Sequence, residues 1–407
     1  MRRLHTRSLA AALLAVAVSL AGCTTLHTGS PVRASDGPPP GAVDTTLLDP
    51  GNYPTKPRAP LGAAGTPAKG ALLDAQRMAD YVIGPWEADP ALIAPLQFGG
   101  SPGAMPLKSG NSILTAVMTP EPAAAAESRG YVDGYASGRQ VENQIKVINA
   151  VIRMADPAAA AAAATDMANA FVPALPETPT NPIPVPGHPE TSARAHSWTD
   201  IWEQRTWNIV NSFTAHGTYV LYQRVEVTGT FDSAAALVGR LLDAQAPRID
   251  EFRPTPADQF PTLPRDPDGL LAVALPKPAD QQNVNQDATF GSYGALHLTR
   301  DPIKAAERQA TFGVDRMASS EGYVVRTRDA SAAAEFTTSD AEDTATTAVS
   351  KADPVPNLPG SQCFRMSDED GFWCIAASGR YSFNLYSNQL KDVHQQMAAQ
   401  YILLESV

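Results

Sequence analysis

Residues 147–164 read VINAVIRMADPAAAAAAA, and the two halves of this stretch set the fold class. Val147 to Ala155 is an apolar run rich in β-branched residues, the composition of a strand. Asp156 follows. An aspartate there accepts hydrogen bonds from the free amides of a first helical turn and faces the positive end of the helix. Pro157 fits the first helical position, where a missing N–H costs nothing. The alanines favour helix and pack closely on a sheet. The device recurs. YVLYQRVEVTGTF meets Asp232 and SAAALVGRLL; GALHLTR meets Asp301 and PIKAAERQA; GYVVRTR meets Asp329 and ASAAAEF. A fifth unit, RYSFNLY, runs through Ser387-Asn388 into a helix whose stripe is Leu390, Val393, Met397, Tyr401 and Leu404. The four aspartates are read as helix caps.

Repeated strand–helix units predict an α+β protein of two domains. Each is a mixed, largely antiparallel sheet with helices on one face, with ferredoxin-like units as one option. A doubly wound α/β fold is the alternative; hairpins and long connections interrupt the alternation it needs. The length of 407 residues agrees with two domains, and 43% hydrophobic residues with a packed interior. Prolines cluster at 172–189 and again at 253–277. The expected order is a signal segment 1–22, a Pro-rich stalk 23–45, a first domain 46–260 containing the loop 172–189, and a second domain 261–407. Exchanging the roles of the two proline stretches is the other arrangement.

The first 22 residues decide the compartment. Arg2, Arg3 and Arg7 precede the apolar core LAAALLAVAVSL, which is shorter than a bilayer span. Leu20-Ala21-Gly22-Cys23 then places small residues before a thiol. This pattern is similar to the bacterial lipobox, which implies cleavage before Cys23 and a diacylglyceryl group on its sulfur. Two or three acyl chains hold a protein stably on a membrane. The processed chain would keep 28 basic side chains against 42 acidic ones, a balance that excludes nucleic acid as a partner. The expected partners are therefore the membrane, through the lipid, and an envelope lipid, glycan or protein.

Cys363 and Cys374 remain, and an even pair in an exported chain reads as a disulfide. In CFRMSDEDGFWC, a hairpin centred between Asp368 and Glu369 sets the two cysteines opposite one another, with Phe364 and Trp373 facing each other on the other side. A redox or metal pair is the alternative; Cys-x-x-Cys spacing and a neighbouring histidine are both missing from the sequence.

Catalytic motifs fail on mechanism. Gly99-Gly-Ser101-Pro-Gly103 has the spacing of a nucleophile elbow, but the residue after the serine must donate its N–H, and Pro102 has none. It is read as a surface loop. His188 and His196 have no close carboxylate or cysteine ligand pair in the sequence; 266–269 and 368–371 are incomplete calcium loops, and no nucleotide-binding fingerprint occurs. No catalytic residue, metal or cofactor is implied. The candidate binding feature is aromatic: WTDIWEQRTW holds Trp198, Trp202 and Trp207, followed by Tyr219 and Tyr222. Trp198 and Trp202 would stand one helical turn apart. They form either a stacking platform for a sugar or acyl chain, or simply a packing face.

The lipobox, Gly51-Asn-Tyr-Pro-Thr-Lys-Pro-Arg58, Phe213-Thr-Ala-His-Gly217 and the terminal Cys363…Cys374…Gly379-Arg-Tyr381…Ala-Ala-Gln-Tyr401 together resemble a family of exported lipoproteins of mycobacteria and related actinobacteria. That resemblance implies the outer face of the plasma membrane and carries no catalytic residue with it. The expected function is a non-enzymatic, lipid-anchored binding or scaffold protein of the envelope. A hydrolase or transferase acting on envelope polymers is the alternative.

Overall fold

The computed structural model describes residues 43–99, 101–108, 113–175, 178–367 and 371–406. Cys23 and the signal segment lie outside them, as does the turn tip 368–370. Two antiparallel sheets dominate. The first contains β1 (Ala104–Lys108), β2 (Tyr131–Val141), β3 (Ile145–Met154), β4 (Asn181–Pro182), β5 (Ser192–Asp200), β6 (Arg205–His216) and β7 (Tyr219–Val227). Their order is β1-β2-β3-β7-β6-β5-β4, and a two-residue strand, Ala94–Pro95, continues the β1 edge along β2. The second contains β8 (Ala288–Gly291), β9 (Arg316–Ser319), β10 (Tyr323–Arg326), β11 (Ser350–Ala352), β12 (Gln362–Arg365), β13 (Phe372–Ser378) and β14 (Tyr381–Ser387). Its order, β8-β9-β10-β14-β13-β12-β11, repeats the first strand for strand.

The helices are α1 (Pro67–Met78), α2 (Pro120–Ser128), α3 (Pro157–Ala170), α4 (Phe231–Asp250), α5 (Ser292–Leu296), α6 (Pro302–Phe312), α7 (Ala330–Ala345) and α8 (Leu390–Leu404). This is the two-domain α+β architecture that the strand–helix pattern implies. The strand period of two explains the layers. Ile148, Ala150 and Ile152 of β3 pack with Ala160, Ala163 and Met167 of α3. Val147 and Val151, one residue out of step, pack with Leu237, Val238 and Leu241 of α4, so α4 adds a helical layer on the opposite face.

The caps differ in one place. Asp156 accepts from the Ala159 amide at 2.8 Å and Asp329 from the Ala332 amide at 2.8 Å. Asp301 accepts from Ile303 and Lys304, both at 3.1 Å. Asp232 is not a cap. Thr230 takes that position on α4, its hydroxyl accepting from Ser233 at 3.2 Å, and Asp232 sits within the first turn. A second correction concerns GALHLTR, which is not a strand. It forms α5 and the turn after it, because both oxygens of Asp80 accept amides there, from Gly294 at 2.7 Å and Gly291 at 3.1 Å.

The repeat extends to turns. Val185-Pro-Gly-His-Pro-Glu-Thr191 and Val355-Pro-Asn-Leu-Pro-Gly-Ser361 precede β5 and β12. Each makes the same pair of bonds, His188 to Val185 and Thr191 to His188 in one, Leu358 to Val355 and Ser361 to Leu358 in the other. Gly217 and Gly379, both at positive φ, make the matching hairpin turns before β7 and β14. Arg153 faces Tyr219 across one sheet as Arg326 faces Tyr381 across the other. The first domain's β5–β6 hairpin is longer and carries the tryptophan-rich segment at its end.

One hydrophobic cluster joins residues of both sheets: Tyr135, Val147 and Leu221 with Phe290, Met317 and Val325. Arg139, fully buried, donates to the carbonyls of Ile93, Leu296, His297 and Thr299 at 2.9–3.1 Å. Its guanidinium lies 5.0 Å from the Trp86 ring centroid. Residues 46–58 fall within the range read as first domain, yet they lie along the second. Tyr53 donates to Asp392 of α8 at 2.8 Å, and Asn357 donates to the Leu47 carbonyl at 2.8 Å. Among the described residues, no helix is long and apolar enough to cross a membrane.

Candidate functional site

The expected aromatic platform does not assemble. WTDIWEQRTW is not helical: Trp198 lies in β5, two residues before its end, and faces Trp207 across the hairpin, while Trp202 occupies the connecting turn. Trp202 is 89% exposed. Trp207 is buried beneath the Lys146 ammonium, 4.5 Å from its ring centroid. Tyr219 and Tyr222 are also buried. The Tyr222 hydroxyl donates to Asn211 Oδ1 at 2.9 Å from the interior of the sheet. These five residues therefore do not share one surface.

Ring stacking is available elsewhere. A cavity of about 530 Å³ opens beside β10, β13 and β14, and Pro102 of the first domain contributes to its wall. Trp373, Tyr323, Asn384 and Tyr386 line it from the strands. They share a face because Trp373 pairs with Tyr386 and Tyr323 with Asn384 across the sheet. Cys374, the next residue, points to the other face and is bonded to Cys363. The expected register of that hairpin is present: Cys363 opposite Cys374, Phe364 opposite Trp373. Phe364 backs the indole at 6.1 Å between ring centroids. Gly322 closes one end of the cavity, where a Cβ would come within 2.0 Å of the Asn384 carbonyl.

The remaining wall is mostly polar, with Leu298 and Met366 as its apolar members. Asn283, Asn285 and Gln286 come from the segment before β8, joined by Lys277, Arg300, Ser319, Ser320 and Glu321. Asn285 is 6% exposed. Its amide donates to the Ala104 carbonyl at 2.7 Å, while Oδ1 has no protein partner. A buried acceptor left without a donor is costly, and a ligand hydroxyl or amide supplies one. Burial raises the Glu321 carboxyl above the ordinary range, partly offset by Lys277 at 3.9 Å. It is the one carboxylate of the lining among the described residues.

A second cavity, of about 590 Å³, also borders the 282–287 segment. Arg58, Lys69, Lys108 and Arg265 border it, with Asp287, Ser101 and the apolar Leu72, Leu73, Met105 and Ile113. Ser101 is thus buried against a cavity, not on a surface loop, and it pairs with Phe98 in a short hairpin.

Three of the described histidines are tied into the fold or buried in it. His188 is held by Glu190 at 3.2 Å and by Asp243 of α4 at 3.0 Å, which pins the proline-rich loop to the helix. His196 is buried, which lowers its pKa to about 4. His297 is wholly buried, and burial together with Arg139 lowers its pKa to about 3. Among the described residues one group has potential metal ligands in reach of each other: Cys363, Cys374 and His394. His394 is a neighbour that the linear spacing hid. The two sulfurs are joined to each other, leaving no thiolate for an ion.

The positions of Trp373 and Asn285 were not singled out as a site in the sequence. One signal was present: strand alternation sets Trp373 and Cys374 on opposite faces, so a disulfide on the packed face directs the indole away from it. Asn285 carried no comparable signal, since its burial depends on Ala104, 181 residues away.

Two family models match in tandem. The "Domain of unknown function (DUF7373) N-terminal" matches residues 61–265, and "Domain of unknown function (DUF7373) C-terminal" matches residues 270–406. No curated protein matches at a significant level. Among solved structures, the extracellular domain of PknH from Mycobacterium tuberculosis aligns with 15% identity over 40% of this chain and 91% of that one. The TM-score is 0.27, too low for any inference about this chain to rest on it.

Proposed function

The chain belongs to the DUF7373 family, and from that membership and its junction cavity we propose a lipid-anchored, extracytoplasmic glycan-binding protein of the actinobacterial envelope. The anchor rests on the lipobox at Cys23, the binding role on the cavity beside β13. The observation that carries the reading is the combination of Trp373, Tyr323 and Tyr386 with Asn283, Asn285, Gln286 and Asn384 around one space. Aromatic faces cover the C–H surface of a sugar ring, and side-chain amides match its hydroxyls as both donors and acceptors. The unpaired Oδ1 of Asn285 marks where one hydroxyl would donate. The alternative, polymer hydrolysis, ordinarily needs two carboxylates across the bond to be broken, and among the described residues this lining supplies Glu321. Lipid carriage beside Trp198 and Trp202 has no support, since neither residue borders either cavity.

Two measurements test the reading. Native mass spectrometry of the gently extracted protein is expected to show an adduct of hexose-like mass, lost in Trp373→Ala and kept in Trp202→Ala. An adduct that survives Trp373→Ala, or preparations that never carry one and show no indole quenching with wall oligosaccharides, would remove the glycan assignment. Radiolabelled palmitate is expected to label the wild type and not Cys23→Ser; equal labelling would remove the anchor.

A further inference from the structure

We propose that the second cavity is a separate binding site for a single-chain anionic amphiphile, an oxyanion head joined to an apolar tail. The charge arrangement comes first. In a chain of net charge −11, four cationic side chains converge on this one space. Arg58 and Arg265 both grip Asp287, at 3.0 and 2.5 Å, so one carboxylate serves two guanidinium groups. Lys69 and Lys108 have no carboxylate partner among the described residues. The lining therefore carries four positive charges against one negative. A concave surface of one sign concentrates its field on a counter-ion, here an oxyanion. Guanidinium groups suit it further, since their forked donors match carboxylate and phosphate oxygens.

The apolar half comes from α1. Lys69, Leu72, Leu73 and Gln76 follow the i, i+3, i+4, i+7 spacing of one helical face, and all four border the cavity. Leu72 and Leu73 are half-buried, whereas Ala71, Ala75 and Met78, on the opposite side of the helix, are buried. A leucine pair on a helix face normally meets a core. Here it meets open space, with Met105 and Ile113 across it. A charged head near Lys69 and Lys108 leaves a chain to run along the leucines, each covered methylene adding to the affinity. Neither the charge excess nor the leucine face alone selects this ligand class; together they select a molecule with both properties. Asn283 and Gln286 border both cavities, so occupancy of one side reaches the wall of the other.

The inference stands independently of the glycan reading. Calorimetry on the folded domain pair would use dodecyl phosphate below its micellar concentration, with inorganic phosphate and dodecyl maltoside as the head-only and neutral-head probes. Dodecyl phosphate is expected to bind at least tenfold more tightly than either. Lys69→Glu with Lys108→Glu places the changes on one exposed and one half-buried lysine and is expected to weaken dodecyl phosphate by tenfold or more, with the melting temperature of the free protein unchanged. Leu73→Asn is expected to lower the preference for dodecyl phosphate over inorganic phosphate. Equal binding of dodecyl maltoside, or unaltered affinity in the lysine double variant, overturns the proposal. Oligosaccharide binding at Trp373 is read separately by indole quenching, so failure at one cavity is distinguishable from failure at the other.

Discussion

Arg139 shows how a single charge holds two domains together. It has no carboxylate partner among the described residues; four carbonyl oxygens replace one. Two belong to Leu296 and His297, at the end of α5, where the carbonyls lack helical partners and carry partial negative charge. Burial still lowers the guanidinium pKa to about 10, far above any working pH, so the group stays charged. The domains meet through this residue, and its loss strands three acceptors in the interior, the carbonyls of Ile93, His297 and Thr299, while Leu296 still accepts from Thr299. Arg139→Met is therefore expected to cost about 3–5 kcal/mol, comparable to breaking a buried ion pair. Urea unfolding monitored by circular dichroism measures it. A cost below about 1 kcal/mol would mean that water reaches these carbonyls and that the contact is not what joins the domains.

At the scale of the elements, the aspartates separate what the sequence discloses from what it hides. Asp156 and Asp329 carry the same local signal and make the same 2.8 Å bond. Capping is local, so the chain within four residues suffices to see it. Asp232 carried that signal too, but Thr230 stands two residues earlier and its helix begins at Phe231. Substituting alanine for Asp156 is expected to destabilise the protein by roughly 1 kcal/mol, while Asp232→Ala costs a few tenths through the helix dipole alone. Thermal melts of the two variants compare them directly, and equal losses would refute the assignment of Thr230. The Cys363–Cys374 hairpin was equally legible, because an antiparallel ribbon of fixed length determines which residues oppose each other. GALHLTR was not legible. Its conformation is imposed by Asp80, more than 200 residues away, whose carboxylate collects two amides that a strand would have used otherwise. The tryptophan segment failed for a related reason: a period near four fits one helical turn, but a hairpin places residues 198 and 207 together just as well. The duplication had a signal, the matched Val-Pro turns 170 residues apart, which a search for capped strand–helix units passes over.

The described fold is two copies of one strand plan fused through a shared cluster. Tyr135, Val147 and Leu221 of one sheet pack into the same cluster as Phe290, Met317 and Val325 of the other, so neither domain completes this cluster alone. Unfolding is expected as one cooperative transition rather than two. His297 lies at this junction, its Nε2–H donating to the Ala79 carbonyl at 3.0 Å and its Nδ1 accepting from Ser137 at 2.9 Å. Both nitrogens are satisfied in the neutral ring, and Arg139 opposes a second proton. The native pKa of about 3 lies below the ordinary 6.5, so between these values the unfolded chain binds a proton that the native one refuses. The stability that His297 contributes is complete above pH 6.5 and declines as pH falls toward 3, by up to about 1.4 kcal/mol per pH unit. Asp133 acts in the opposite sense: burial raises its pKa to about 7, so its contribution is lost as pH rises. Comparing wild type with His297→Gln cancels Asp133. The variant is expected to be less stable at pH 7, with the gap narrowing steadily between pH 6.5 and 4. A gap that stays constant over that range would mean that the ring takes up its proton in the folded state, which would require the junction between the two sheets to admit water.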